Sequence, residues 1–214
     1  MDFGIMEAVE TGELCDIRLL ILSSPASNTA FYEPLPSENQ ECLFEGIKKP
    51  FGKADDVPRS IWIDNMTTAV KAPRSKTEEA TLTDEFLRFQ LHYGLQTQVC
   101  NVAKGNEKGH VEGKVSYVRY NLFSVPPVSS CLKGLTQTLD EFSIVDQERL
   151  HYEKEIEIKT LWKQETATLL FLPENEYMVR KERMVKPNPY NEVKIDQGER
   201  PMNCFMNNNN ADND

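Results

Sequence analysis

Apolar positions in the first 36 residues form short runs, and turn-forming residues separate one run from the next. Residues 2–9, 16–22 and 29–35 are rich in Ile, Leu, Val and aromatic side chains, which favour extended structure. Gly12 and Pro25 lie in the two links between these runs. Because short links join strands that are neighbours in a sheet, the pattern predicts a meander of three strands.

After residue 36, helical spacing alternates with single short strands. The predicted elements are, in chain order, a helix that Ser37 caps and Pro50 ends, a strand over 61–63, a helix that Thr83 caps and Gly94 ends, a strand over 95–102, and a helix over 107–123. The order β-β-β-α-β-α-β-α predicts an α/β fold with a mixed sheet. Trp62 is assigned to the core of this fold and His110 to its surface.

The rest of the chain is more charged and less regular. Helical segments are predicted over 132–142, 146–151 and 158–162, and strands over 177–185 and 190–196. We therefore divide the chain into an α/β unit (1–125), a helical charged connector (126–180), the start of an incomplete β unit (181–200) and a disordered Asn-rich tail (201–214).

Composition limits the functions that this chain can have. It has 214 residues, 39% of them hydrophobic, and a net charge of −10. A protein whose whole surface binds DNA non-specifically should be basic, so any nucleic-acid site must be local. The cysteines are scattered and unsuited to zinc, and no apolar run is long enough to span a bilayer, so we expect a cytoplasmic protein with reduced thiols.

Three carboxylates lie where regular structure would hold them rigidly. Asp2 is on the first predicted strand, Asp64 ends the fourth, and Glu112 is on the third helix. Three fixed carboxylates suit two-metal catalysis, in which paired Mg²⁺ or Mn²⁺ ions stabilise the attacking and leaving oxygens of a phosphoryl transfer. The alternatives are ordinary: Asp64 can start a turn, and Glu112 can form a surface ion pair with Lys108. Spacing alone does not decide between them.

Longer stretches of sequence resemble the catalytic core of the IstA-type transposases of bacterial insertion sequences, which belong to the DDE superfamily together with retroviral integrases. The stretches are, in order, Asp-Phe-Gly at 2–4, Pro-Ser-Glu-Asn-Gln-Glu-Cys at 36–42, Ile-Trp-Ile-Asp-Asn-Met at 61–66, Phe-Gln-Leu-His-Tyr-Gly at 89–94 and Gly-Asn-Glu-Lys-Gly-His-Val-Glu at 105–112. The resemblance implies a ribonuclease-H-like fold, with residues 1–125 as the integrase catalytic core and 181–200 as the start of a small β-barrel.

The resemblance also implies the site and its chemistry. Asp2 and Asp64 would hold one metal ion, Asp2 and Glu112 the other, with Glu107 as the alternative third ligand. The reaction would be metal-dependent cleavage at an element end, followed by attack of the freed 3′-OH on target DNA. The bases expected along the DNA phosphates are Lys104, Lys108, Lys114 and Arg119, with Lys71, Arg74 and Lys76 as a weaker second group. The implied partners are DNA, an ATP-binding helper protein and further transposase copies.

The chain also departs from the family pattern. Family members carry a helix-turn-helix region upstream, whereas Asp2 is the second residue here, and the expected β-barrel gives way to Asn-rich sequence. A metal ligand at a fraying terminus is poorly preorganised. We therefore expect a truncated copy with little independent activity. The alternative is an inactive remnant that only binds DNA or transposase partners.

Overall fold

The computed structural model describes residues 1–73, 79–100, 105–129 and 131–180, without the side chains of residues 105–108. Its elements are β1 (Asp2–Glu10), β2 (Glu13–Ser23), β3 (Ala30–Leu35), α1 (Gln40–Ala54), β4 (Asp56–Val57), β5 (Ser60–Ile63), β6 (Val70–Ala72), β7 (Thr81–Leu82), α2 (Asp84–Tyr93), β8 (Gln96–Val99), α3 (Gly105–Asn121), α4 (Leu132–Asp146), α5 (Ile158–Thr166) and β9 (Leu170–Phe171). The predicted α/β class is confirmed, and the eight predicted elements are found along the chain with the short strands β4, β6 and β7 between them.

The described strands form a three-stranded antiparallel sheet and three separate pairs, of which β4–β9 and β6–β7 are antiparallel and β5–β8 is parallel. β1, β2 and β3 pair in that order, with Asp2 opposite Ile21 and Arg18 opposite Leu35. β5 and β8 run parallel, with Ile63 opposite Val99. A hydrogen bond from the Met1 nitrogen to the Trp62 carbonyl, 2.7 Å long, places the start of β1 beside β5. Parallel and antiparallel pairing are thus both present in the described part of the chain, but in separate sheets instead of the single mixed sheet that the sequence predicts.

Helices cover both faces of the three-stranded sheet. On one face α1 and α2 pack over Leu20 and Leu35 in an aromatic-rich core. On the other face Val118 of α3 and Leu135 and Leu139 of α4 pack over Met6, Ala8, Ile17, Leu19 and Ile21. Because successive side chains of a strand point to opposite faces, β2 supplies residues to both cores. Residues 132–146 are thus part of this packed unit, while the predicted domain boundaries stay a prediction.

The first helix differs from its prediction at both ends. Its cap is Asn39, whose side chain accepts from the Cys42 amide at 2.8 Å, instead of Ser37. Pro50 lies inside the helix, which continues to Ala54, so the predicted end at Pro50 is wrong. An internal proline removes a hydrogen bond. Burial of Pro50 and Phe51 offsets that cost, since the Phe51 ring packs edge-on against Tyr93 with centroids 5.2 Å apart.

The second helix is as predicted. The Thr83 side chain accepts from the Phe86 amide, and Gly94 ends the helix in the left-handed region with φ of 67°. Later segments agree less well. Helices at 132–142 and 158–162 are confirmed within α4 and α5, but residues 147–151 are not helical and Leu150 pairs with Glu157 in an isolated β-bridge, so most of the helix predicted over 146–151 is wrong. Residues 177–180, where the strand predicted over 177–185 would begin, are not in a strand, and the rest of that strand, the strand predicted over 190–196 and the Asn-rich tail lie outside the described residues.

Candidate active site

Asp2 and Asp64 line the same cavity, which has a volume of about 670 Å³. Asp2 begins β1, and Asp64 directly follows β5, whose Ile61 and Ile63 are buried while Trp62 points away from them. The Met1–Trp62 hydrogen bond fixes these two strand ends beside each other. The strands thus place both predicted aspartates at one opening.

The two aspartates have local backbone partners. One carboxylate oxygen of Asp2 accepts from the Phe3 amide at 2.9 Å. The Asp64 carbonyl accepts from the Met66 amide at 2.7 Å, which turns the chain sharply after the strand. Both side chains are partly buried. A pair of carboxylates at one cavity wall suits a hard divalent cation, because Mg²⁺ is commonly held by one or two carboxylates together with water and phosphate.

Glu112 is on the same side of the sheet but outside the lining of this cavity. Val111, one residue earlier, lines the cavity with Asp2. Val115, one turn later, lies 3.1 Å from the position that a Cβ on Gly4 would occupy. The turn of α3 that carries Glu112 therefore passes close to the start of β1, yet the Glu112 side chain is exposed to solvent.

Within the described part of the chain, no three His, Cys, Asp or Glu side chains converge as a metal-binding group. Asp2 and Asp64 thus fit a metal site with two carboxylates. The exposed Glu112 side chain does not complete a second site with Asp2, so the structure does not support the predicted second ion. The side chain of Glu107, the alternative third ligand, lies outside the described atoms. The metal ligand set stays a prediction.

Of the four basic residues predicted to contact DNA, two are described in full. Lys114 is only 3% exposed, and its ammonium pairs with Asp146 at 3.2 Å. Asp146 also accepts from Arg149, and burial lowers the pKa of Lys114 despite the neighbouring carboxylate. A buried lysine with this partner holds α3 against α4, so the structure does not support Lys114 as a phosphate ligand.

Arg119 is exposed, as a phosphate contact requires. Its guanidinium donates to the Ile5 carbonyl at 3.4 Å, on the edge of β1 that does not face β2. The same edge is occupied further on, where Val9 exchanges hydrogen bonds with Pro127 and Ser129. Lys104 and the side chain of Lys108 lie outside the described part of the structure, as do Arg74 and Lys76, whereas Lys71 is exposed.

His110 is a residue of this region that the sequence interpretation assigned to the surface. Its ring lines the cavity and bridges two elements: Nε2 donates to Asn28 Oδ1 at 3.2 Å, and Nδ1 accepts from the Ser23 hydroxyl at 3.1 Å. Burial, aided by the charge of Lys114, lowers the pKa of His110 to about 4. His110 is therefore a neutral side chain that connects α3 by hydrogen bonds to the end of β2 and to the link that follows it.

Trp62 is a second residue whose position differs from the prediction. The core assignment is wrong, since 43% of Trp62 is exposed at the cavity. The alternation of β5 contains the signal, because a period of two places Trp62 opposite the face of Ile61 and Ile63. An exposed indole beside two carboxylates is typical of a binding surface rather than a core.

Comparison with known proteins identifies relatives of one kind. A transposase of Aminobacter aminovorans is 30% identical over 105 residues, which are 49% of this chain and 20% of that protein. The transposase of insertion sequence IS1326/IS1353 from Pseudomonas aeruginosa is 28% identical over 145 residues, 67% of this chain and 28% of that protein. The IS21 transposase of the same species is 22% identical over 122 residues. The chain is a relative of the insertion-sequence transposases.

The chain spans only part of the proteins that it matches, 20% of the Aminobacter aminovorans transposase and 28% of the IS1326/IS1353 transposase. No family model matches the chain. Among solved structures, the simian T-cell lymphotropic virus intasome in complex with PP2A regulatory subunit B56 gamma aligns over 87% of the chain, with 11% identity and a TM-score of 0.48. No helix in the described ranges is both long and apolar enough to cross a membrane, and the four described cysteines are free thiols.

Proposed function

We propose that this transposase relative acts on DNA through the Asp2–Asp64 opening, as the catalytic core of a DDE-type polynucleotidyl transferase with a ribonuclease-H-like fold. The observation that carries the proposal is the convergence of two strand-end aspartates on one cavity. Similarity to insertion-sequence transposases supports a role in DNA transposition. The family resemblance of the sequence implies the reaction, which is DNA strand cleavage followed by transfer of the 3′-OH.

In this proposal Asp2 and Asp64 hold a Mg²⁺ or Mn²⁺ ion. Bound there, the metal would stabilise negative charge on the phosphate under attack. Glu112 is the proposed third carboxylate, since its turn of α3 lies between Val111 at the cavity and Val115 at Gly4. Glu107 stays the alternative. The proposed DNA contacts are Arg119 and Lys108, and the proposed partners are an ATP-binding helper and other transposase copies.

The experiment is thermal unfolding against Mn²⁺ concentration, on the parent chain and on Asp64→Asn, Glu112→Gln and Glu107→Gln. A ligand that binds only the folded chain stabilises it by about 2.7 kcal/mol at 100 times its Kd. We expect the parent to be stabilised and Asp64→Asn to lose the effect. Asp16→Asn, which removes an exposed carboxylate from the middle of β2, is the matched control and should keep it.

The two glutamate variants then decide the third ligand. Loss of the Mn²⁺ response in Glu112→Gln but not in Glu107→Gln supports the assignment above, and the reverse result replaces it. Equal stabilisation of the parent and Asp64→Asn would contradict the proposed metal site.

A second candidate function is that of an inactive remnant that binds DNA or transposase partners without cleaving. The exposure of Glu112, away from the cavity lining, favours it. In that case Asp64→Asn would bind DNA as well as the parent or better, because a negative charge is removed, and neither protein would nick DNA in Mn²⁺.

A further inference from the structure

The cavity extends well beyond the two aspartates, to a wall formed by α5. Trp162 and Glu165 of α5 line that wall, and Trp162 packs edge-on against Phe31 of β3 with centroids 5.6 Å apart. The chain contains two tryptophans, and both Trp62 and Trp162 line this one cavity. Its volume of about 670 Å³ is typical of small-molecule sites, which span roughly 300–1,000 Å³.

Two polar atoms at the α5 end have no hydrogen-bond partner among the described residues. They are Glu165 Oε2 and Thr29 Oγ1, and both belong to residues that line the cavity. The other carboxylate oxygen, Glu165 Oε1, accepts from the Ser24 hydroxyl. Buried polar atoms are rarely left without a partner, so a ligand that donates to Glu165 is one explanation for this arrangement. The terminal torsion of a glutamate is broad, so its carboxylate can turn toward such a ligand at small cost.

The charge of the cavity selects the kind of ligand. Asp2, Asp56, Asp64 and Glu165 line it, against the guanidinium of Arg59 and the terminal amine of Met1. The Arg59 guanidinium is itself engaged, with Nε donating to the Thr168 carbonyl at 2.6 Å. Away from the proposed metal ion at Asp2 and Asp64, the acidic lining of the α5 end repels phosphate, whereas a flat neutral group with N–H donors can stack on an indole and donate to a carboxylate.

We propose that the α5 end of the cavity binds one unpaired nucleobase that bears an exocyclic amino group, from a DNA strand whose phosphate lies at Asp2 and Asp64. The inference rests on the proposed function, because the aspartate opening supplies the strand. The base stacks on a tryptophan of the wall, and its amino group donates to Glu165. Enzymes that act on DNA use the same two contacts, stacking and edge hydrogen bonds, to hold a base outside the helix.

The Glu165 carboxylate predicts a preference among bases. Cytosine and adenine present an amino group that donates to it. Thymine has no amino group, and its one base-pairing-edge donor, N3–H, lies between two carbonyl oxygens that the carboxylate would repel. Substitution Glu165→Gln exchanges the carboxylate for an amide that both donates and accepts, so it should admit thymine. The proposal therefore predicts a change in base preference, which a merely structural role of Glu165 would not produce.

The test is tryptophan fluorescence, because both indoles line the cavity. The probes are short oligonucleotides of abasic sites that carry one central base, either cytosine or thymine, and a fully abasic oligonucleotide that reports backbone binding. We expect the parent to bind the cytosine probe about ten-fold more tightly than the thymine probe, since a hydrogen bond to a charged group contributes about that factor. Glu165→Gln should reduce the ratio to near one, and Trp162→Phe should weaken binding of both bases.

The control is Glu157→Gln, which changes an exposed carboxylate just before α5 that is outside the cavity lining. It should keep the ten-fold ratio, and thermal unfolding shows that each variant folds. Equal affinity for cytosine, thymine and abasic probes would overturn the base site and leave the proposed metal site intact, because that site is tested separately by Mn²⁺. An unchanged ratio in Glu165→Gln would overturn the role of Glu165.

Discussion

The two ends of the cavity are built in different ways. At the aspartate end, Asp2 and Asp64 are attached to strands whose neighbouring residues are buried in the main core, such as Ile63 at 0% exposure. At the α5 end, Trp162 and Glu165 belong to a nine-residue helix that docks onto distant parts of the chain. The first end is set by local strand pattern, and the second by long-range packing.

This difference predicts different rigidity. The aspartate end is tied by backbone hydrogen bonds, including Met1 to Trp62 and Cys100 to Ile63. The α5 end is tied by side chains, with Ser24 bonded to Glu165 and Arg59 bonded to Thr168. Segments with few buried apolar contacts open first, so the α5 end should yield more easily than the aspartate end.

The largest expected effect is that of Ile63→Ala at the aspartate end. Ile63 is fully buried and directly precedes Asp64, and truncating such a side chain costs about 3 kcal/mol of unfolding free energy. Denaturant unfolding measures the loss. The matched variant at the other end is Trp162→Ala, which should cost only about 1.5 kcal/mol because Trp162 is partly exposed. An equal or larger loss for Trp162→Ala would reverse the comparison.

The sequence was sufficient to predict the aspartate end of the cavity, because local patterns of residues determine its structure. The alternation that defines β1 and β5 places Asp2 and Asp64 at strand ends, and the caps Thr83 and Gly94 define α2. It was insufficient where tertiary packing overrides a local preference. Pro50 stays inside α1 because its neighbour Phe51 is buried, which no local rule states.

The α5 end was missed for the same physical reason. Trp162 and Phe31 are separated by more than a hundred residues, so their contact has no local signal. The prediction for the basic residues failed for a different reason, because charge alone does not indicate burial. Lys114 was predicted at the surface, but it is buried and paired with Asp146. Carboxylates at strand ends are thus easier to predict than the partners of charged residues on helices.

A smaller effect concerns His110, which forms the wall between the two ends. Its pKa of about 4 lies below the ordinary value of 6.5, so the unfolded chain takes up this proton first as the pH falls. The folded state should therefore lose roughly 2 kcal/mol between pH 6.5 and 4, and this contribution is fully present above pH 6.5. Unfolding measured across that range in His110→Gln should show a weaker pH dependence.

The comparison variant is His92→Gln, which changes a partly buried histidine of α2 outside the cavity lining, and His110→Gln should alter the pH dependence more than it does. If His110→Gln and the parent lose stability in parallel between pH 6.5 and 4, then His110 is not the group responsible. The neutral His110 side chain between Ser23 and Asn28 would then contribute little to the cavity wall.

The smallest effect on stability is expected from Arg59→Ala, which removes the hydrogen bond to the Thr168 carbonyl. Arg59 is exposed, so the unfolding free energy should fall by less than about 1 kcal/mol. Local opening should change more: amide exchange over residues 165–171 should accelerate about five-fold, since roughly 1 kcal/mol of local stability corresponds to that factor. Exchange over β1 and β5 should stay the same, as it should everywhere in the control Arg88→Ala on α2. Faster exchange at β5 as well would mean that the two ends of the cavity open as one unit. The aspartate end and the α5 end would then not differ in rigidity.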